Sequence, residues 1–417
     1  MNILILGSGG REHALAWAVA QNPKCDRLIS APGNPGMAAL GDCVAIDPCD
    51  PDAVVALCDE YSIDFVVIGA EAPLAAGVAD ALRAAGVLCF GPSKAAAKLE
   101  ASKAFTKEIC DASGAPTAGY AHFTNESAAL DYVRAQGMPL VIKADGLAAG
   151  KGVIIPETLG EAETAISEMF GGQFGAAGAE VVIEEFMTGE EASLFVLCHG
   201  ETAMPVGTAQ DHKRVGEGDT GLNTGGMGAY SPAPVLTDAV LTQAMDEIIH
   251  PTLAEMARRG TPFEGVLYAG LMIEDGRARL VEYNVRFGDP ECQALCARLG
   301  AQMLDLLLAA ARGEEIPAPQ WADDHAMTVV MAAKGYPEAY QKGTEITGAE
   351  SNDPLVQIFH AGTAMADGKL TASGGRVLNI TARGPDLAAA RDRAYGAIDG
   401  IDWEDGFYRR DIGWRAL

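Results

Sequence analysis

Short apolar runs alternate with stretches of helical spacing along the first hundred residues. Ile3–Leu6, Arg27–Ser30, Phe65–Ile68 and Val87–Phe90 read as strands, and Glu12–Ala20, Pro51–Glu60 and Leu74–Ala85 as helices. That alternation predicts a parallel α/β sheet with ligand loops at the strand ends. From about residue 102 the pattern changes to a helix over Lys103–Ala112, followed by a smaller α/β module from about 121 to 187 ending in Val181-Val-Ile-Glu-Glu-Phe186. A hairpin around Glu274-Asp-Gly276 pairs Gly270–Ile273 with Ala278–Tyr283. Leu295, Leu299, Met303, Leu306, Leu307 and Ala310 then recur at helical spacing and predict one long helix, ending near Gly313 and the linker Ile316-Pro-Ala-Pro319. Strands at His325–Ala333, Val356–Thr363 and Arg376–Thr381 with a helix at Asp386–Gly396 complete a small C-terminal α/β domain.

Length and composition narrow this picture. A chain of 417 residues is too long for one core and suggests about three units. A net charge of -27 argues against a nucleic-acid surface, so an anionic ligand must be held by local devices. The nine cysteines include no CxxC pair and many sit in apolar runs, which fits buried thiols in a reducing compartment. Cys292 and Cys296 share a helix face, but with no third ligand nearby they read as buried side chains too. The N-terminus reads as a strand with no basic leader, and no apolar run reaches membrane-spanning length, so the expectation is a cytoplasmic protein.

The candidate chemistry begins at Val141-Ile-Lys-Ala-Asp-Gly-Leu-Ala-Ala-Gly-Lys-Gly-Val153. Gly146, Gly150 and Gly152 let backbone amides turn toward an anion, and Lys143 and Lys151 add positive charge. The spacing differs from a Walker-type loop, because three residues separate Gly146 from Gly150 and Lys151 precedes Gly152. In Val281-Glu-Tyr-Asn-Val-Arg-Phe-Gly-Asp-Pro290, strand alternation sets Glu282 and Asn284 on one face, with Arg286 two further along. Two oxygen ligands side by side suit Mg2+ that takes the rest of its shell from water and nucleotide phosphates, and the following cation suits phosphoryl transfer. Gly7, Gly9 and Gly10 end the first strand and open a helix whose N-terminal amides favour phosphate. Glu12 stands where a dinucleotide fingerprint would want its third glycine, which weakens a dinucleotide reading.

These residues resemble the ATP-grasp superfamily and, within it, the phosphoribosylamine–glycine ligases. The resemblance rests on Gly7-Ser-Gly-Gly-Arg-Glu-His13, Ala31-Pro-Gly-Asn34, Glu71-Ala-Pro-Leu74, the Lys143 loop, Glu184-Glu-Phe186, Gln210-Asp-His-Lys-Arg214, Asn223-Thr-Gly-Gly-Met-Gly-Ala-Tyr-Ser-Pro232, Arg286-Phe-Gly-Asp-Pro-Glu291 and Asp411-Ile-Gly-Trp-Arg415. It implies a Rossmann-like parallel α/β domain over 1–101 for phosphoribosylamine, an ATP-grasp domain over 102–321 with a mobile lid at about 121–187, and the small α/β domain over 322–417. It further implies ATP activation of the glycine carboxylate to a glycyl phosphate, then attack by 5-phosphoribosylamine to give glycinamide ribonucleotide in de novo purine synthesis.

By motif match, Lys103, Lys143, Gly146, Gly150, Lys151 and Gly152 face the ATP phosphates. Glu184, Glu185, Phe186 and Met187 meet adenine, and Glu191 accepts from the ribose. Glu282 and Asn284 hold Mg2+, with Mn2+ as an alternative. Arg286, Asp211 and Lys213 serve the reacting groups. Gly9, Gly10, Glu71, Leu74, Arg214, Asn223, Gly225, Gly226, Gly288 and Asp289 hold the substrates, while His13 and His212 read as packing and as a hydrogen-bonding strut. The further metal carboxylate that many ATP-grasp enzymes carry on the preceding strand has no counterpart in Gly270-Leu-Met-Ile273, and Ala70, Leu222, Val285 and Cys292 depart from the family's usual spelling. Implied partners are the two small substrates, with a transient handover of the amine from the upstream amidotransferase and neither nucleic acid nor membrane. Rival readings are another carboxylate–amine ligase of the superfamily, a catalytically silent nucleotide-binding regulator, and a dinucleotide-dependent oxidoreductase. The first is opposed by the N-terminal motifs, the second by the presence of Lys143, Glu282, Asn284 and Arg286, and the third by the incomplete fingerprint.

Overall fold

The computed structural model describes residues 1–146, 152–172 and 175–417. Five parallel N-terminal strands stand in the order Asp42–Cys43, Arg27–Pro32, Asn2–Gly7, Phe65–Ile68, Leu88–Phe90. The chain leaves Asn2–Gly7 toward one edge and later returns to its other side, so a crevice opens beyond the carboxyl ends of Asn2–Gly7 and Phe65–Ile68. Gly9 and Glu71 follow those two ends. The edge strand Asp42–Cys43 is exposed and too short to carry an apolar period, which hides it from the sequence pattern. The helix expected over Leu74–Ala85 is two helices, Glu71–Ala76 and Val78–Ala84, broken at Gly77 with φ 95°.

A nine-stranded sheet forms the body of the molecule. Its order is Arg277–Asn284, Glu264–Glu274, Glu190–His199, Thr202–Asp211, Gly228–Ser231, His325–Ala333, Arg376–Gly384, Val356–His360, with Gly406–Phe407 beside His325–Ala333 and every pairing antiparallel. Because Gly228–Ser231 pairs with His325–Ala333, one sheet runs across the expected boundary at residue 322. A separate four-stranded sheet, in the order Tyr120–Phe123, Val181–Glu185, Leu140–Ala144, Val153–Ile154, packs its apolar face on helices Glu126–Gln136 and Leu159–Phe170.

The single long helix expected from Leu295 to Ala310 is instead two, Glu291–Leu299 and Gln302–Arg312, meeting at 106°. Gly300, with φ 55° and ψ -139°, makes the break. The apolar spacing continues across it because Leu295, Leu299, Met303, Leu306, Leu307 and Ala310 all reach the same core. Helix Glu291–Leu299 packs against helix Gly10–Ala20 on one side and strands Gly228–Ser231 and His325–Ala333 on the other, tying the N-terminal sheet to the large one. Among the described residues no single helix is long and apolar enough to cross a membrane.

Candidate active site

The hairpin Glu264–Glu274/Arg277–Asn284 turns through Asp275 and Gly276, at φ 49° and 75°, the paired left-handed conformations of a tight two-residue turn. Its register sets Gly270 opposite Glu282 and Tyr268 opposite Asn284. Glu282, Asn284 and Arg286 all line a cavity of about 880 Å³. Asn284 is 7% exposed, and neither it nor Glu282 has a side-chain hydrogen bond or ion pair among the described residues. The neighbouring strand offers no acid at Gly270, Leu271 or Met272. Two open oxygen donors on one face therefore fit one divalent cation whose remaining ligands are water or phosphate, and they do not by themselves make a second metal site.

Arg286 stands differently. Its NH2 lies 2.9 Å from Glu100 Oε1 and its Nε 3.4 Å from Glu71 Oε2, while Glu100 Oε2 accepts from the Val285 amide at 2.8 Å. Burial pushes the Glu100 carboxyl up, against the pull of Arg286. Glu71 Oε2 also faces Arg11 NH2 at 3.8 Å. Burial opposes the charge on Glu71, yet Arg286 and Arg11 together hold its carboxyl below the usual range. Arg11 is itself fixed by Glu12 (2.6 Å) and donates to the Phe287 carbonyl (2.9 Å). The Gly9 amide donates to Glu12 Oε2 (2.7 Å) and the Arg11 amide to Asp289 Oδ2 (3.1 Å), so protein carboxylates already engage the helix amides that the glycines suggested for phosphate. Burial disfavours the Asp289 charge, but Arg376 and Arg11 lower its carboxyl.

Next to strand Arg277–Asn284, Lys143 Nζ donates to the Val281 carbonyl at 3.3 Å and pairs with Glu184 Oε2 at 2.9 Å, and the same carboxylate takes Lys107 at 3.3 Å. Lys103 Nζ donates to the Gly146 carbonyl at 3.0 Å, and burial lowers the Lys103 and Lys107 ammonium groups. Glu184, Glu185, Phe186 and Met187 follow along the rim, where Glu185 pairs with Arg279. Lys213 Nζ sits between Glu191 (2.6 Å) and Asp211 (3.2 Å). Burial works against the Lys213 charge, but the two carboxylates raise it well above its ordinary value, and Lys213 in turn lowers Glu191. Behind them the buried Glu291 accepts from Tyr268 Oη (2.9 Å), and burial plus the charge of Asp211 push its carboxyl up to about 7.

Of the predicted residues, the cavity wall gathers Gly9, Glu71, Lys103, Lys143, Gly146, Gly152, Glu184, Glu185, Phe186, Met187, Glu191, Asp211, Lys213, Arg214, Asn223, Gly225, Glu282, Asn284, Arg286, Gly288 and Asp289. It does not gather Leu74, whose side chain is fully buried in the N-terminal core, or Gly10, which Asn379 and Gln293 crowd from behind. Gly226 lies behind the wall against Pro290. Gly150 and Lys151 lie outside the described residues. His13 is buried and accepts from the His360 amide at 2.8 Å, consistent with packing.

Sequence reasoning missed roles for Arg11, Glu100, Glu291, Arg376 and Arg415, all on the wall. Arg11, Glu291 and Arg415 stood inside the quoted motifs without a role. Arg376 gave no signal beyond two preceding glycines, yet it donates to the carbonyls of Gly225 (2.5 Å) and Asp289 (2.7 Å) and so joins the glycine-rich loop to the Asp289 turn.

The arrangement matches known proteins from end to end. Family models for the phosphoribosylglycinamide synthetase N domain, ATP-grasp (A) domain and C domain match residues 1–100, 101–292 and 326–415. A phosphoribosylamine–glycine ligase of Agrobacterium fabrum is 58% identical over 100% of this chain and 99% of its own length. The chloroplastic enzyme of that name from Arabidopsis thaliana is 52% identical over 98% of this chain and 79% of its own. The crystal structure of phosphoribosylamine–glycine ligase from Thermotoga maritima superposes with a TM-score of 0.88 at 33% identity, covering 99% of this chain and 100% of that one. A Campylobacter jejuni biotin carboxylase shares the fold alone, with a TM-score of 0.75 at 14% identity over 97% of this chain and 92% of that one. With parallel N-terminal sheet, ATP-grasp core and C-terminal strands all matched, the chain belongs to the phosphoribosylglycinamide synthetase family of ATP-grasp ligases.

Proposed function

We propose that this chain joins glycine to 5-phosphoribosylamine at the expense of ATP, releasing glycinamide ribonucleotide, ADP and phosphate as a step of purine synthesis. The observation that carries this assignment to its residues is one continuous cavity, which runs from Gly9, Arg11 and Glu71 at the N-terminal crevice to Lys143, Glu282 and Asn284 in the core. Amine, carboxylate and triphosphate can meet there without leaving the protein.

In this reading a glycine carboxylate oxygen attacks the γ-phosphorus and ADP leaves. The amine nitrogen then forms the C–N bond and phosphate departs, while the amine gives up a proton. No side chain need become covalently attached, so orientation and fixed charge supply the rate. Lys103 and Lys143 hold phosphate oxygens, and the rim from Glu184 to Met187 holds adenine. Glu191 faces the ribose, and Glu71 with Gly9 faces the phosphoribosyl group. Asp211, Lys213 and the Asn223–Gly225 loop enclose glycine, with Arg214, Gly288 and Asp289 closing the space around it. Arg286 meets charge at the transferring phosphate. Glu282 and Asn284 would hold Mg2+, which when bound offsets phosphate charge; their oxygens suit Mn2+ as well. Gly150 and Lys151, which lie outside the described residues, are assigned to the phosphates by motif alone, and the 121–187 module acts as a lid. The labile amine arrives by transient handover from an amidotransferase in the cytoplasm.

The test is ADP release with Mg·ATP and glycine, with and without phosphoribosylamine generated in situ, together with product mass. ADP formation that needs both substrates and yields the glycinamide ribonucleotide mass supports the proposal. Turnover with a different acid or amine removes the substrate assignment.

A further inference from the structure

The motif Asp411–Arg415 has no place in the chemistry above, yet it meets the active site directly. Next to Asp211 and Lys213 the chain forms a small hairpin, Arg214–Gly216 paired with Thr220–Asn223. These strands make a sheet of their own and share no ladder with the large sheet; backbone bonds reach the hairpin's base, where the Thr224 amide donates to the Lys213 carbonyl and the Met227 amide to the His212 carbonyl, both at 2.8 Å, but among the described residues none of them ties its tip to the large sheet. Its tip residues are mostly exposed, and Asp219 sits at φ 57°, a left-handed conformation that a non-glycine residue holds only with local support.

The C-terminal segment provides that support. Arg409, 1% exposed, donates to the Arg214 carbonyl at 2.9 Å and to Asp219 Oδ1 at 3.0 Å, while its guanidinium grips Asp411 at 2.8 and 2.7 Å. Asp411 accepts from the Gly218 amide at 2.8 Å, and the Arg410 amide donates to Glu217 at 3.0 Å. The Gly413 amide donates to His212 Nε2 at 2.8 Å, which makes Nε2 the acceptor nitrogen and leaves Nδ1 facing Asp219 at 3.8 Å. Finally, Arg415 NH2 reaches Asp219 Oδ2 at 2.5 Å and lines the cavity.

We infer that Arg409–Arg415 is a positioning strap that presses the 214–223 hairpin onto the glycine end of the cavity, with the Asp219–Arg415 pair as its clasp. The inference rests on the reading that this hairpin, with Asp211 and Lys213 at its base, encloses glycine. Asp219 is the hub, because two guanidinium groups from the tail converge on the residue whose backbone most needs restraint. Charge-assisted pairs of this kind fix geometry as well as adding energy.

The test uses full-length Asp219→Asn, which retains a residue type tolerant of the left-handed backbone, and Arg415→Ala, with Arg415→Lys as the conservative variant. Amide exchange of residues 214–223 and steady-state kinetics are read together. Faster exchange confined to the hairpin, a glycine KM raised about tenfold at unchanged Mg·ATP KM, and partial recovery in Arg415→Lys support the strap. Unchanged exchange shows that the tail does not hold the hairpin and overturns it. Faster exchange with unchanged glycine kinetics also overturns it, by showing that glycine does not bind under this hairpin. A general fall in thermal stability with every kinetic constant altered alike reduces the tail to a structural part and overturns the positioning role.

Discussion

Asn284 and Arg286 are two residues apart and line the same cavity, but Asn284 has no side-chain partner among the described residues whereas Arg286 is gripped by Glu100 and Glu71. Glu282 shares the open state of Asn284. Lys143 shares the held state of Arg286, through Glu184. An oxygen donor can face a wet cavity until a cation arrives, while a buried cation without a counter-charge is costly to keep. In a chain of net charge -27, Arg286 and Lys143 are thus each paired with a carboxylate, whereas Glu282 and Asn284 have no side-chain hydrogen bond or ion pair among the described residues. Substitutions at the held group should affect turnover, and substitutions at the open group should affect metal binding.

The sharpest way to break that comparison is Arg286→Ala. Its kcat should fall by about 10²–10³, the usual cost of removing a group aimed at transition-state charge, with a smaller change in Mg·ATP KM. Stopped-flow binding of Mg·ATP beside steady-state turnover separates the two, and an effect on affinity alone would place Arg286 away from the transferring phosphate. Glu282→Gln comes next. It should raise the Mg2+ concentration for half-maximal rate by about 10–100-fold while far-UV CD and melting temperature hold, because the side chain lines the cavity and makes no hydrogen bond or ion pair among the described residues. An unchanged Mg2+ titration would remove Glu282 from the metal site.

The two states were unequally legible in the sequence. Glu282 and Asn284 could be read because strand period and the Asp275-Gly276 turn together fix which face they occupy. The Lys143 loop could be read because glycines and lysines adjoin. The partners of Arg286 could not, since Glu71 and Glu100 lie far away in the chain and only folding brings them near. Arg376 was hidden for the same reason. The fold shows a similar division: alternating elements announced the N-terminal sheet, but apolar spacing ran unbroken through Gly300, because residues on both sides of the bend enter one core. Nor does a strand pattern reveal its partner, so the junction of Gly228–Ser231 with His325–Ala333 was invisible.

A finer probe of the held state is Glu100→Gln. The amide keeps the volume and can still accept from the Val285 N–H, but it no longer offers Arg286 a charge. Turnover should drop about tenfold, less than in Arg286→Ala, with Mg·ATP affinity preserved. If Glu100→Gln matched Arg286→Ala, Glu100 would itself touch the reacting groups; if it changed nothing, Glu71 alone would suffice to hold the arginine.

The smallest effect concerns stability and extends the comparison to an acid whose ionisation burial opposes. Glu291 is 3% exposed, and burial followed by the charge of Asp211 raises its carboxyl from 4.5 to about 7. A carboxyl raised on folding binds its proton more tightly in the native state than in the unfolded chain. Its contribution to stability is then fully present below about pH 4.5 and is lost as pH climbs through about 7. Glu291→Gln keeps the shape and removes the titration. Relative to the parent, the variant should gain stability between pH 5 and pH 8, by no more than about 3 kcal/mol for a shift of this size. Urea melts at the two pH values measure the difference directly. A stability gap independent of pH would mean that Lys213 outweighs burial and that Glu291 is ionised across the range, which would move it from the neutral wall of the cavity into the same paired state as Arg286 and Lys143.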